Sequence, residues 1–510
     1  MSPPFEEGLL FKMRNRTGLK NVWAGLNDRG AGSTLLRILL FFIIAFPCLL
    51  FIAGSSSPLY PHIRYDDAIF NLMGAGWSRG ILPYRDLFDN KGPLVYLIQM
   101  AGHVLAPGKW GVWLLEVMAC AFSLELLYRT GRQFRTSASD VWLSLAIIFP
   151  TYVLCVDWGN TVEEWSLPFQ VIALLYATRC LCNPLENNTA AASFVGGLCF
   201  GATALIRINN NCIIVGLALG ILIGLLRRRE WESAVRAVLC FIGGALLVLL
   251  PFIVWFGALG ILPDFFYDCF IYNWHYKFNW HHSGLLSEKM LYLMPCLLLP
   301  IVSFFYDRKN NTRFFPTFLL LSAITYLTFI SGAGYRHYFL MVVPVAALSM
   351  LLACDFGSMA KAGVALYLMV LPIGFIDTFL AMLSQARHVA ETPHSVYFTS
   401  VANRIKEIIP EADFDSVYLY DTEEGLTAAC EIGIVPTGKY FYYQPEVLTV
   451  DPTLAEKMGS EFKKAAPGWI ISGADLNEIS LKGVNLSSYR LIEELEISPN
   501  GHNLYIYRRD

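Results

Sequence analysis

The sequence predicts a polytopic α-helical membrane protein with about eleven transmembrane helices and a cytoplasmic N-terminus, followed by a small extracytoplasmic α/β domain. Three observations carry this expectation. Of the 510 residues, 55% are hydrophobic and only 15% charged, where soluble chains carry about 25% charged residues; mean hydropathy is +0.47. Apolar runs of spanning length recur along the first three quarters of the chain, with basic clusters in alternate loops. Beyond about residue 390 the apolar runs shrink to strand size, and roughly half of the acids gather there, as a water-exposed unit allows.

Composition also excludes some classes. A net charge of −3 argues against a nucleic-acid partner. The 12 cysteines fall mostly in apolar runs (Cys48, Cys120, Cys155, Cys240, Cys354) and read as small buried hydrophobes rather than disulfides or a metal site.

Taken in order, residues 1–37 form a polar, basic cytoplasmic segment (Lys12, Arg14, Arg16, Lys20, Arg29, Arg37) with no signal-peptide cleavage pattern. The membrane domain is expected over 38–389. Its spans fall near 38–54, 110–128, 140–156, 165–182, 191–207, 212–226, 235–256, 288–305, 314–331, 337–353 and 361–382. Loops 129–139, 183–190, 227–234, 306–313 and 354–360 then face the cytoplasm, and three of them (129–139, 227–234 and 306–313) are rich in Arg or Lys, as the positive-inside rule favours. Leu94–Leu105 is too short to cross and stops at Pro107-Gly108, so it is placed on the outer membrane surface within a first outer loop, 55–109. The soluble extracytoplasmic α/β domain, 390–510, is expected to hold a helix at Val401–Ile409 and strands at Ser416–Tyr420, Gly468–Ser472 and Asn503–Tyr507.

The unusual polar residues all land on the outer side. Asp66 and Asp67, in RYDDAIF, follow the first span; on a helix their side chains diverge by about 100°, so one can face a cavity while the other makes a second contact. A carboxylate there can take a proton from an attacking hydroxyl, or merely cap the helix. PYRDLFDNKGPL places Asp86, Asp89 and Lys91 in a Pro- and Gly-punctuated turn, where Lys91 meets a phosphate or pairs with Asp89. Glu163 and Glu164, in TVEEWSLPF, open a span and suggest a shared cavity with Asp66 and Asp67, or helix capping. Arg207, in ALIRINNN, and Arg336 and His337, in GYRHYFLMVVP, sit at outer span ends, where a guanidinium can grip a lipid-linked phosphate or snorkel to headgroups. The aromatic loop Phe266–Gly284 reads first as an interface belt and second as an acceptor or lipid contact.

RYDDAIF, PYRDLFDNKGPL, TVEEWSLPF and GYRHYFLMVVP, in this order between outward-facing spans, resemble the multi-span C-type (GT-C fold) glycosyltransferases. The nearest branch is family 39-like, related to protein O-mannosyltransferases and lipid A aminoarabinose transferases, and the resemblance covers roughly residues 38–382. It implies a multi-pass enzyme of the cell inner (cytoplasmic) membrane, engaged in cell-envelope glycan biosynthesis. That enzyme would move a sugar from a polyprenyl-phosphate donor to a lipid, glycan or protein hydroxyl on the extracytoplasmic face. Asp66 would act as base in an inverting displacement, with Asp67 its catalytic partner; relatives often carry Glu at the second position. Lys91, Arg207, Arg336 and His337 would bind donor phosphate, and Asp89, Glu163 and Glu164 would contact acceptor or sugar. The lipid-linked sugar is the co-substrate implied; metal use varies among branches, and no metal ligand is assigned. The rival class is a transporter or flippase of a lipid-linked sugar. Against it, the charges gather at one face rather than the midplane, and the two halves show no repeat.

Overall fold

The computed structural model describes residues 25–27, 30–60, 63–134, 137–182, 189–279, 286–330, 335–370, 393–479, 481–497 and 503–510. The apolar runs fold as helices, the form that satisfies every backbone group without water. Helix α1 (Ala31–Ile52) leads to a loop carrying α2 (Tyr65–Ser78) and α3 (Pro93–Leu105), then α4 (Trp110–Gly131), α5 (Ala138–Cys155), α6 (Val162–Cys182) and α7 (Thr189–Ala204). A 3-10 turn at Ile208–Asn211 opens α8 (Cys212–Arg227). Helix α9 (Trp231–Ala258) precedes the short α10 (Leu262–Phe266), a π turn at Tyr267–Ile271 and α11 (Tyr272–Asn279). Next come α12 (Leu286–Asn310), α13 (Phe314–Ile330), a 3-10 turn at Arg336–Val342, α14 (Val343–Ala353) and α15 (Ser358–Val370).

Among the described residues, six helical segments are long and apolar enough to cross a membrane: Ala31–Ile52, Trp110–Gly131, Val162–Cys182, Ile208–Arg227, Trp231–Ala258 and His337–Phe356. Ala138–Val153, Thr189–Ala204 and Phe314–Thr328 are apolar but shorter, as is Pro93–Leu105. The chain is a polytopic helical membrane protein. The span expected near 361–382 is described only to residue 370.

Small residues let helices touch. Gly197 and Gly201 of α7 form a G-x-x-x-G face against α9, where a Cβ on Gly197 would lie 2.0 Å from the Phe241 carbonyl oxygen and one on Gly244 2.2 Å from that of Phe194. Such close approach drives helix association in lipid. One boundary differs from expectation: Arg37, placed by sequence in the polar N-terminal segment, lies inside α1. Its guanidinium forks onto Glu125 of α4 at 2.7 and 2.8 Å, a pairing that makes a buried Arg tolerable in a membrane helix.

The last quarter forms α16 (Pro393–Ile408), β1 (Val417–Tyr420), α17 (Glu423–Ile432), α18 (Gln444–Val450), α19 (Leu454–Ala465), β2 (Trp469–Ser472), β3 (Tyr489–Glu496) and β4 (Asn503–Arg509). The sheet order is β1-β2-β4-β3, with β1 and β2 parallel and β4 antiparallel to both neighbours. Strands β1, β2 and β4 fall where the sequence places them. Strand β3 was not foreseen, because YRLIEELE carries the charges of an exposed edge strand rather than an apolar alternation. This α/β unit is not separate from the first loop: Ile69, Phe70, Met73 and Trp77 of α2 share one apolar core with Leu426, Ala429, Ile434, Val435 and Tyr440.

Candidate active site

The loop after α1 is folded by Ser55. Its backbone N–H donates to the Trp158 carbonyl at 2.9 Å and its Oγ accepts from the Arg64 N–H at 2.7 Å, which fixes the start of α2. The Arg64 guanidinium then lies over the Trp158 ring, 3.6 Å from its centroid. Helix geometry separates the two aspartates. Asp66 is exposed on the open side of α2, whereas Asp67 is buried. Burial pushes the Asp67 carboxyl well above its ordinary value, the charges of Glu116 and Asp66 push the same way, and the hydrogen bond with Ser55 pulls it back. Lys109, which donates to the Tyr60 carbonyl at 2.8 Å, is driven down by burial to about 8 against the pull of Asp67 and Glu431.

The turn Pro83–Pro93 is anchored at both ends. Asp86 accepts from the Leu82 N–H at 2.8 Å and pairs with Arg85. Asp89, only 1% exposed, accepts from Tyr96 Oη at 2.7 Å and from Tyr442 Oη at 2.9 Å. Lys91 reaches Asn90 Oδ1 with its amine, while its carbonyl receives the hydroxyl of Tyr84 at 2.8 Å. Gly92 N–H donates to the Ile206 carbonyl at 2.9 Å and Leu94 N–H to that of Leu205 at 2.9 Å, so this turn is laced to the residues just before Arg207.

Arg207 joins three elements. It donates through Nη1 to Glu163 Oε1 at 2.7 Å and through Nη2 to Tyr338 Oη at 2.9 Å, and lies 4.8 Å from the Tyr338 ring centroid. His337 Nδ1 is 3.4 Å from Asp157 Oδ2 and its Nε2 3.9 Å from Glu163 Oε2. Arg336 begins this 3-10 turn, and its side chain lies outside the described residues. Glu164 turns away from Glu163: it accepts from Tyr152 Oη at 3.3 Å and meets Glu116 in the bundle interior. The two acid pairs therefore split alike. Asp66 is exposed and the buried Glu163 pairs with Arg207, while Asp67 and Glu164 face an interior acid cluster completed by Glu116, fully buried in α4.

Sequence reasoning missed Glu116, Asp157, Arg64 and the contribution of the α/β unit. An acid inside the apolar run WLLEVMACAF was a usable signal for Glu116. Asp157 (φ 61°) and Asn160 (φ 53°) hold the left-handed conformation in the turn before α6, a cost of about 1–3 kcal/mol each that tends to collect at functional sites. The described part of the aromatic loop touches both the α/β unit and the first outer loop: Lys439 Nζ lies 3.1 Å from Asp268, and from Asp264 just ahead of the loop, and Asn273 donates to the Asn90 carbonyl at 2.8 Å. Residues 280–285 of that loop lie outside the described residues. Among the described residues, no group of three or more His, Cys, Asp or Glu side chains converges as metal ligands.

Chemically, the arrangement offers an exposed carboxylate, Asp66, whose charge reaches Tyr338 of the Arg207 group and Tyr443 and Glu446 of the α/β unit. The fold is similar to ArnT from Cupriavidus metallidurans bound to undecaprenyl phosphate, with a TM-score of 0.56 at 14% identity over 92% of this chain and 97% of that one. It is similar to the same protein in its apo state at a TM-score of 0.53 and 13% identity, over 92% and 97%. The likeness is one of fold, that of the C-type membrane glycosyltransferases. No curated protein matches the sequence. A family model described as the putative competence-induced protein Ccs4 N-terminal domain matches residues 33–365.

Proposed function

The chain belongs to the family of the putative competence-induced protein Ccs4 N-terminal domain, and from that premise we propose that it is an integral membrane glycosyltransferase using a polyprenyl-phosphate sugar. It acts at the extracytoplasmic face of the cytoplasmic membrane. Asp66 takes the proton of an acceptor hydroxyl as that oxygen bonds to the anomeric carbon. The bond to the phosphate oxygen breaks, and the prenyl phosphate leaves with inversion at the sugar. Arg207 holds the departing phosphate, with His337, Lys91 and Arg336 as further donor contacts, and an electrostatic group set before the charge develops lowers the barrier most. Tethering the donor in the bilayer supplies positioning.

The observation that carries this reading is the split of Asp66 from Asp67: an exposed carboxylate, whose charge reaches Tyr338 of the fixed Arg207–Glu163–Tyr338 group, leaves a base free to reach substrate. The undecaprenyl phosphate bound by ArnT, a protein of the same fold, favours a polyprenyl-phosphate donor here.

The test is release of prenyl phosphate from a panel of polyprenyl-phosphate sugars by the purified protein, with membrane extract as acceptor. Release that depends on the extract supports the reading. Donor left intact throughout, together with movement of the same lipid-linked sugars across reconstituted vesicles, would replace the transferase with a flippase.

A further inference from the structure

The charge of Asp66 reaches Tyr338 of the Arg207 group and also Tyr443 and Glu446 of the α/β unit. Tyr443, just ahead of α18, holds the left-handed conformation at φ 39° and turns its ring onto that of Tyr65, with centroids 4.1 Å apart and planes inclined by 34°. Tyr442 closes edge-on to Tyr65 at 6.0 Å. The Tyr65 hydroxyl is buried with no hydrogen-bond partner among the described residues, while Tyr443 remains 36% exposed. Tyr65 is the chain neighbour of Asp66. Glu446 lies within electrostatic range of Asp66, and Glu423 within range of both Asp66 and Arg64. Tyr335 is 54% exposed and also feels Asp66 and Glu446.

This wall pairs open aromatic faces with carboxylates. The C–H face of a sugar ring packs on such a surface, and its hydroxyls donate to carboxylate oxygens. Asp66, Glu423 and Glu446 together disfavour an anion, which belongs instead on the Arg207 side. Resting on the transferase reading, we infer that the Tyr65–Tyr443 platform is the acceptor subsite and takes an uncharged carbohydrate, presenting one of its hydroxyls to Asp66. The α/β unit is then a working part of the active site, and Tyr443 determines acceptor specificity.

The test uses the full-length protein with its polyprenyl-phosphate sugar donor and three acceptor sets: uncharged hexose and N-acetylhexosamine trisaccharides, uronate-containing trisaccharides, and a long-chain alcohol. Wild type should glycosylate the uncharged set. Tyr443→Ala should raise the acceptor KM at least tenfold with the donor KM unmoved, and Tyr443→Phe, which keeps the ring, should retain both. Transfer confined to the uronates or the alcohol, or an acceptor KM unchanged in Tyr443→Ala, overturns the inference. Direct binding of the uncharged trisaccharides without donor is the second readout. Binding lost in Tyr443→Ala and kept in Tyr443→Phe supports the subsite even where no prenyl phosphate is released, in which case the transferase reading alone fails. A wild type that neither binds nor glycosylates them overturns the subsite.

Discussion

The carbonyl oxygen of Leu205 lies 2.1 Å from where a Cβ on Gly92 would stand. No side chain fits there, so the turn bearing Lys91 can lie flush against the residues that lead into Arg207. Gly92→Ala should force the two apart, destabilising the protein by about 1–3 kcal/mol and weakening polyprenyl-phosphate affinity roughly tenfold, a further cost of about 1.4 kcal/mol. Binding of polyprenyl phosphate to the purified variant checks this, and unchanged affinity would separate Lys91 and Arg207 from the donor.

Glu163 is almost wholly buried and held by Arg207. Removing one partner of a buried pair leaves an uncompensated charge, at about 3–5 kcal/mol. Arg207→Met should therefore lower the thermal midpoint sharply, and adding Glu163→Met should recover most of the loss. Donor affinity should stay low in both. A double variant that binds polyprenyl phosphate like wild type would assign Arg207 a purely structural role.

Docking of the aromatic loop on the α/β unit should depend on pH. Burial raises the Asp268 carboxyl from 3.8 to about 7, against the pull of Lys439. A carboxyl whose folded value lies above its unfolded one favours the folded state most when protonated, so its contribution is largest below about pH 4 and is lost as pH rises through about 7. Asp264, Lys439 and Lys457 surround it. Thermal midpoints measured from pH 4.5 to 8 should fall less in Asp268→Asn than in wild type, by the equivalent of a few kcal/mol at most. Parallel profiles would contradict the buried ionisation.

How much of this was legible in the sequence depends on the range of the interaction. That the chain is a polytopic helical membrane protein was readable because lipid leaves a chain little choice but a helix; the ordered motifs marked Asp66, Lys91 and Glu163, and an Arg at an outer span end marked Arg207, as the residues to examine. What adjacent residues do was not readable: Asp66 and Asp67, like Glu163 and Glu164, differ only by a helical rotation, and no local pattern says which faces the interior. Tyr442 lies 353 residues from the Asp89 it donates to, and Lys439 lies 175 residues from the Asp264 it donates to. Such partners are set by how the α/β unit packs on α2, which leaves no mark in the sequence around either residue.

The Lys439–Asp268 contact should accordingly stabilise the α/β unit against the aromatic loop. Lys439→Met strands Asp268 in the buried contact and should cost about 3–5 kcal/mol, with Lys439→Met/Asp268→Leu restoring most of it. Chemical denaturation of the purified variants measures both, and a single variant as stable as wild type would show that the contact is open to water.

The central claim is that Asp66, and not its neighbour, is the base. The measurement is the rate of prenyl-phosphate release from the polyprenyl-phosphate sugar in the presence of acceptor, for wild type, Asp66→Asn and Asp67→Asn. Loss of a general base costs about 10²–10⁴-fold, and that loss is expected in Asp66→Asn. Asp67→Asn, which replaces a buried carboxyl by a neutral group of the same shape, should stay within about tenfold of wild type. Full turnover in Asp66→Asn alongside a dead Asp67→Asn would contradict the account and move the chemistry to the buried side of α2.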